Sequence, residues 1–276
     1  MYILPSPVLI LVFSVVPDEP VLQLYEVQCA AAAPVDGLDN YIRLFRDPYV
    51  SASLKNTVVF TVITVPLQTA GSLVLAAVIA ELFHNKFGNF VKSSLFVPVI
   101  ASAILVGTLW FTLLSPRGVV NSIIHAFGLP SVNWLGGKLT SMLSVCIVSV
   151  WKNVGYFLVI YFAGIMDIPR SLYEAAEVDG ANAFQRFFKI TLPGLSSVTF
   201  LVVTLGTIWS FQVFDLVYTM TGGGPGTSTV TLVLTTYNAA FKEYNMGYAS
   251  AVAMLMFVFV LAVSGLQKLL LKGGED

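Results

Sequence analysis

Charged residues are so sparse along this chain that its elements are set off by uninterrupted apolar runs rather than by periodicity within them. Residues 57–80 carry no charge across 24 positions, and residues 93–115 none across 23. Residues 139–166 form a further run, broken midway by Lys152 and Asn153, and residues 190–214 another, with Asp215 at its far end. Residues 244–267 close the series. A helix that crosses a membrane needs about 20 apolar residues, so each run predicts one span. Residues 1–17 are apolar but short and contain Pro5 and Pro7. They are expected to form a first span that is either atypical or truncated, because Asp18 and Glu19 follow Pro17 directly. A signal peptide would need a basic stretch ahead of the apolar run, and there is none. Pro66 and Pro98 fall inside predicted spans, where neighbouring helices and hydroxyl side chains can satisfy the freed carbonyls. The pattern predicts an all-α polytopic membrane protein with about six transmembrane helices, read as one transmembrane domain over residues 1–276.

The polar connections have structure of their own. Between the fourth and fifth spans, Leu172, Ala175 and Ala176 make a weak apolar face beside Glu174 and Glu177. Gly180 then permits a sharp turn, and Phe184, Phe187 and Phe188 recur at helical spacing. Periodicity alone fits an amphipathic helix-turn-helix packed on the protein's own surface. In the connection over residues 18–56, Tyr41, Leu44 and Phe45 predict one short amphipathic helix. The run TGGGPGTST at residues 221–229 predicts a tight turn after a helix.

Composition sharpens the class. The chain is 57% hydrophobic and 11% charged, against about 25% charged in soluble domains, and its mean hydropathy is +0.84. A net charge of −1 argues against a nucleic-acid partner. Cys29 and Cys146 lie in different settings and make neither a disulfide framework nor a metal site. His84 has no second ligand at metal spacing. The glycine run lacks the lysine that a phosphate-binding loop requires. No catalytic triad, zinc motif or paired CxxC is present, so no enzymatic activity is expected.

One spacing is more specific. Glu174-Ala175-Ala176 is followed after three residues by Gly180, and after nine more by Ile190, Leu192 and Pro193. This pattern resembles the EAA loop of the membrane-spanning subunits of bacterial ABC importers. DGLDNYIRLFRDP (36–48), the G-x-x-N-x-x-I and NWL runs in residues 116–138, and TGGGPGTST followed by YNAAF resemble carbohydrate-type permeases, the family of maltose and glycerol-phosphate permeases. The resemblance covers the chain from about residue 36 onward and departs in the first span.

The resemblance implies that residues 167–193 are a cytoplasmic coupling loop whose short helix sits in a groove of an ATPase subunit. Glu174, Ala175, Ala176, Asp179, Gly180, Phe184, Ile190, Leu192 and Pro193 would make that contact. It further implies two ATPase subunits that bind ATP and magnesium outside this chain, a second homologous permease, an extracytoplasmic solute-binding protein and alternating access. The chain itself would hold no cofactor and no metal. Glu174, Glu177 and Asp179 are explained by the motif better than by metal binding.

With that loop inside, Lys86, Lys92, Arg170, Arg186, Lys189, Lys268 and Lys272 are cytoplasmic, and Arg43, Arg46, Lys55, Arg117, Lys138 and Lys242 lie outside. The outer loops are longer, so basic density favours this orientation. It places both termini in the cytoplasm of a bacterial inner membrane.

A lysine in mid-membrane costs roughly 2.5 to 3.5 kcal/mol and should face the bundle interior or water. Lys152, Asn153 and Tyr156 on the fourth span, with Trp209, Ser210, Gln212 and Asp215 on the fifth, have the aromatic and polar chemistry of a sugar pocket. By resemblance, Tyr156, Trp209 and Ser210 match substrate-contacting positions best. The same residues also fit a plainer arrangement, with Lys152 paired to Asp215 between helices and Trp209 as packing. A secondary, ion-coupled transporter is the alternative function. It would show paired broken helices in matching halves, and no internal duplication is visible.

Overall fold

The computed structural model describes residues 39–82 and 86–272, and among them every regular element is helical. The expected first span, Cys29 and His84 lie outside the described residues. From Tyr41 onward the chain forms one compact unit.

Helix α1 (Asp39–Arg46) is the predicted amphipathic helix, but of its three apolar positions only Leu44 is buried. Helix α2 (Pro48–Leu82) starts nine residues ahead of the uncharged run, so much of the expected surface loop is helical. Its inward face is polar as well as apolar. Ser53, Thr57, Thr61, Thr64, Gln68 and Ser72 recur every three or four residues and are all buried. Thr57, Thr61 and Thr64 donate their hydroxyls to the backbone carbonyl one turn back, so a small polar side chain can line a helix contact without an unsatisfied group. That face packs along α6 (Lys138–Asp167), which is continuous through Lys152 and Asn153.

The expected third span is not one helix. Helices α3 (Lys86–Ile100) and α4 (Ala103–Leu113) meet at a 97° bend. Pro98 supplies no N–H, and two residues beyond it the chain leaves the helix, with Ser102 extended at φ −55° and ψ 134°. The fifth predicted span is also broken. Helix α7 (Arg170–Val178) is followed by α8 (Ala183–Gly194), and a 70° bend separates α8 from α9 (Ser196–Phe211). The cause is local: α8 widens into a π-helical turn at Phe187–Thr191 just before Pro193, and Leu195 ends it at φ −98° and ψ 12°.

Among the described residues three helices, α2, α6 and α12 (Met246–Lys272), are long and apolar enough to cross a membrane, or up to five if each bent pair is counted as one span. Short helices cap the bundle: α5 (Val119–Ala126), α10 (Asp215–Met220) and α11 (Leu232–Tyr237), the last continuing as a π turn to Lys242.

Close crossings fix the bundle. A Cβ on Gly155 of α6 would lie 2.0 Å from the Leu95 carbonyl oxygen, so α3 and α6 touch backbone to side-chain position. The glycine run is more than a tight turn. Gly222, Gly223 and Gly226 all have positive φ. Asn56 of α2 donates to the carbonyls of Thr227 and Val230, and Thr229 donates to that of Gly224. The 116–138 connection is built on buried Asn121, whose amide nitrogen donates to the carbonyls of Ser115, Pro116 and Val132. Its oxygen accepts from the Val132 N–H and the Trp134 indole.

Candidate functional site

The motif-bearing segment is two helices joined by a turn whose every bond follows from its sequence. Helix α7 ends at Asp179, and Gly180 takes φ +75°. The Gly180 N–H donates to the Glu177 carbonyl at 3.0 Å and the Ala181 N–H to the Ala176 carbonyl at 2.8 Å, the bonding of a Schellman cap. Two residues on, Asn182 starts α8 with a capping box: its side chain accepts from the Gln185 N–H, and the Gln185 side chain accepts from the Asn182 N–H, both at 2.9 Å. The segment is therefore shaped before any partner arrives.

What it presents is unusual for a free surface. Helix α7 buries no residue. Glu174, Ala175, Asp179, Gly180, Phe184 and Pro193 are exposed, and Ala176, Ile190 and Leu192 are half-buried. Val178 is 88% and Phe184 72% exposed, apolar area left uncovered among the described residues. The three phenylalanines do not share one face. Phe184 and Phe188 touch at 4.6 Å between ring centres and stay exposed, while Phe187 turns into an apolar cluster with Tyr173, Ile190 and Leu192. Tyr173 and Thr191 share a hydrogen bond of 2.9 Å that ties α7 to α8.

Arg186 went unremarked in the sequence beyond its charge. Its guanidinium bonds Glu177 of α7 and Glu81 at the end of α2, linking the motif to the longest helix. Glu81 lies 105 residues away in the chain, so spacing offered no signal. The capping box was readable as N-x-x-Q. A cleft lined by Asp167, Pro169, Leu172, Lys189 and Pro193 opens at the root of this segment.

The membrane-embedded residues are only partly gathered. The Tyr156 and Trp209 rings meet at 4.8 Å, with Phe157 also 5.5 Å from Trp209. Trp209, Gln212 and Asp215 are exposed, and Tyr156, Lys152 and Asn153 half-buried. Asn153 leans on Ser149 at 3.5 Å. Ser210 is buried and bonded to Thr64 of α2 at 3.0 Å, which places it in helix packing rather than beside Trp209. The ion pair of the plainer arrangement, between Lys152 and Asp215, is absent; the ion pairs among the described residues are those of Arg186. Lys152 instead donates to the Val99 carbonyl at 3.3 Å. Val99 sits at the bend between α3 and α4, where helix carbonyls lose their intrahelical donors.

The family model described as "Binding-protein-dependent transport system inner membrane component" matches residues 3–273. The chain belongs to this family. It is a membrane-spanning permease subunit of an ABC importer, a transport component rather than an enzyme. The probable ABC transporter permease protein YurN of Bacillus subtilis (strain 168) is 39% identical over 243 residues, which cover 87% of this chain and 83% of YurN. The trehalose/maltose transport system permease protein MalF of Thermococcus litoralis is 33% identical over 269 residues, 95% of this chain and 89% of MalF. A solved bacterial alginate ABC transporter, in complex with an alginate pentasaccharide-bound periplasmic protein, superposes with a TM-score of 0.80 at 23% identity. It covers 95% of this permease and 90% of the matched chain. That likeness fixes the fold.

Proposed function

We propose that this permease imports a sugar or related solute by alternating access, driven by two separate ATPase subunits that hold ATP and magnesium. The observation that carries the reading is the pre-shaped 167–193 segment, capped at both sides of its turn and exposing Val178 and Phe184. An exposed apolar knob held rigid by hydrogen bonds is what a groove on a partner can receive and push. Its seat would be an ATPase subunit on the cytoplasmic face, which puts both termini inside. A second homologous permease would complete the pathway, and the loops around Asn121 and the glycine run would face the solute-binding protein. Residues 1–276 then act as one transmembrane domain.

The sugar class is supported by the substrates named for relatives such as the trehalose/maltose permease and by the Tyr156–Trp209 pair. Aromatic faces stack on the C–H patches of sugar rings, and polar neighbours take the hydroxyls. Lys152, Asn153, Gln212 and Asp215 would be the polar groups of that pathway, with Ser210, bonded to Thr64, behind them.

The test is uptake into proteoliposomes that contain this chain, its co-expressed partner subunits and the binding protein. Saccharide accumulation that requires ATP on the ATPase side supports the reading. Accumulation driven by an ion gradient with no ATPase subunit present would overturn it and establish a secondary transporter.

A further inference from the structure

Lys152 is the charged side chain that the fold leaves least accounted for. It lies midway along the 30-residue helix α6, where a cation must find a partner or water. Among the described residues its hydrogen-bond partner is one neutral acceptor, the Val99 carbonyl at 3.3 Å, although an ammonium group carries three donors. Among the described residues no carboxylate lies within ion-pair range of it. Half-buried Tyr156 lies one turn along the same helix, with its ring against exposed Trp209. The ammonium thus has donors to spare and no acid in contact, on the helix that also carries one ring of the aromatic pair.

We propose that Lys152 is the counter-ion for an anionic group on the imported saccharide, a carboxylate, phosphate or sulfonate. In the empty pathway it rests on the Val99 carbonyl at the α3–α4 bend. A carboxylate or phosphate oxygen is a far better acceptor for an ammonium than a neutral carbonyl, so an acidic cargo draws Lys152 off the bend while the aromatic pair holds the sugar ring. A neutral sugar would leave the lysine where it is. This inference rests on the importer reading above and adds the charge of the cargo.

The experiment is ATP-dependent uptake by the whole importer, with its binding protein, in proteoliposomes. The probes are uronate-containing oligosaccharides, sugar phosphates, a sulfonated sugar and their neutral counterparts, which separate the three anion sources. Wild type is expected to take up at least one acidic probe. K152M should lower that uptake about tenfold or more, the scale of a lost hydrogen bond to a charged group. K152R should retain most of it, and K152M should lower acidic uptake by a clearly larger factor than neutral uptake. If K152M does not reach the membrane, K152Q compared with K152R reads the same charge dependence. The proposal falls if wild type carries only neutral probes or if K152M lowers neutral and acidic uptake alike. Uptake of no probe, or uptake without ATP, instead removes the importer reading on which it rests.

Discussion

Gly180 offers the sharpest test of the proposed coupling segment, because the structure separates backbone cost from steric cost. A Cβ built on Gly180 meets nothing within 4 Å, so Gly180→Ala creates no clash. What remains is the left-handed backbone at φ +75°, which costs an L-residue with a Cβ about 1–2 kcal/mol. At about 1.4 kcal/mol per factor of ten, alanine should reduce the population of the closed turn by roughly 5- to 30-fold relative to open forms. Asparagine tolerates this region better than alanine and should fall between glycine and alanine. Gly180→Pro fixes φ near −65° and deletes the N–H that donates to Glu177, so the turn cannot close, at about 3 kcal/mol or more. Because α7 buries no residue, these costs stay local and the melting temperature of the purified chain should move little. The assay is co-purification of the ATPase subunits with wild type and the three variants, alongside thermal melts in detergent. ATPase recovery should rank Gly, Asn, Ala, Pro. Equal recovery with proline would refute the reasoning. A melt lowered as much as recovery would show that the turn supports the whole fold instead.

Gly155→Ala forces a Cβ to 2.0 Å from the Leu95 carbonyl oxygen, a backbone atom that cannot rotate away. Overpacking of this kind costs about 1–3 kcal/mol or more, and the readout is a lower melting temperature and lower membrane yield. Asn121→Ala strips the acceptor from the Val132 N–H and the Trp134 indole; leaving such groups unpaired costs about 1–3 kcal/mol each. It should expose the 116–138 connection to limited proteolysis without releasing the ATPase. Arg186→Gln should alter stability by less than about 1 kcal/mol, since the Glu81 and Glu177 side chains are 48% and 60% exposed. Its effect should appear as ATP hydrolysis that continues while uptake falls, measured side by side in proteoliposomes.

What the sequence disclosed and what it hid follow from the range of the interactions involved. The uncharged runs marked α2, α6 and α12 because insertion into lipid is a local, additive property of about 20 residues. The same measure joined α3 to α4 and α8 to α9, since hydropathy does not register a bend whose freed carbonyls find donors elsewhere. For Val99 that donor is Lys152, 53 residues on. The turn at Gly180 was legible because its chemistry is contained in six consecutive residues. The contact of Ser210 was not legible, for the opposite reason: its partner is Thr64, 146 residues away. The alternative in which Lys152 pairs with Asp215 rested on opposite charge alone, and Lys152 bonds a carbonyl instead.

The two proposed sites are joined by one apolar cluster. It runs from Tyr173, Phe187 and Ile190 in the motif-bearing segment, through Ile168 and Leu195, to Phe157 and Tyr156 beside Trp209. Contiguous packing does not by itself transmit anything; an element with two arrangements is required. The α8–α9 break is where such an element would sit. It turns through 70° at Leu195, directly after a π-helical turn and a proline. Leu195 itself is fully buried in the cluster. A tilt of the α8 arm about this point would displace Phe187 and Ile190 against the far end of the same close-packed group that supports Tyr156. Arg186 anchors that arm to α2 through Glu81, and α2 packs along α6. Force applied at Val178 and Phe184 thus has two routes to the helix that carries Lys152 and Tyr156, one through the cluster and one through α2.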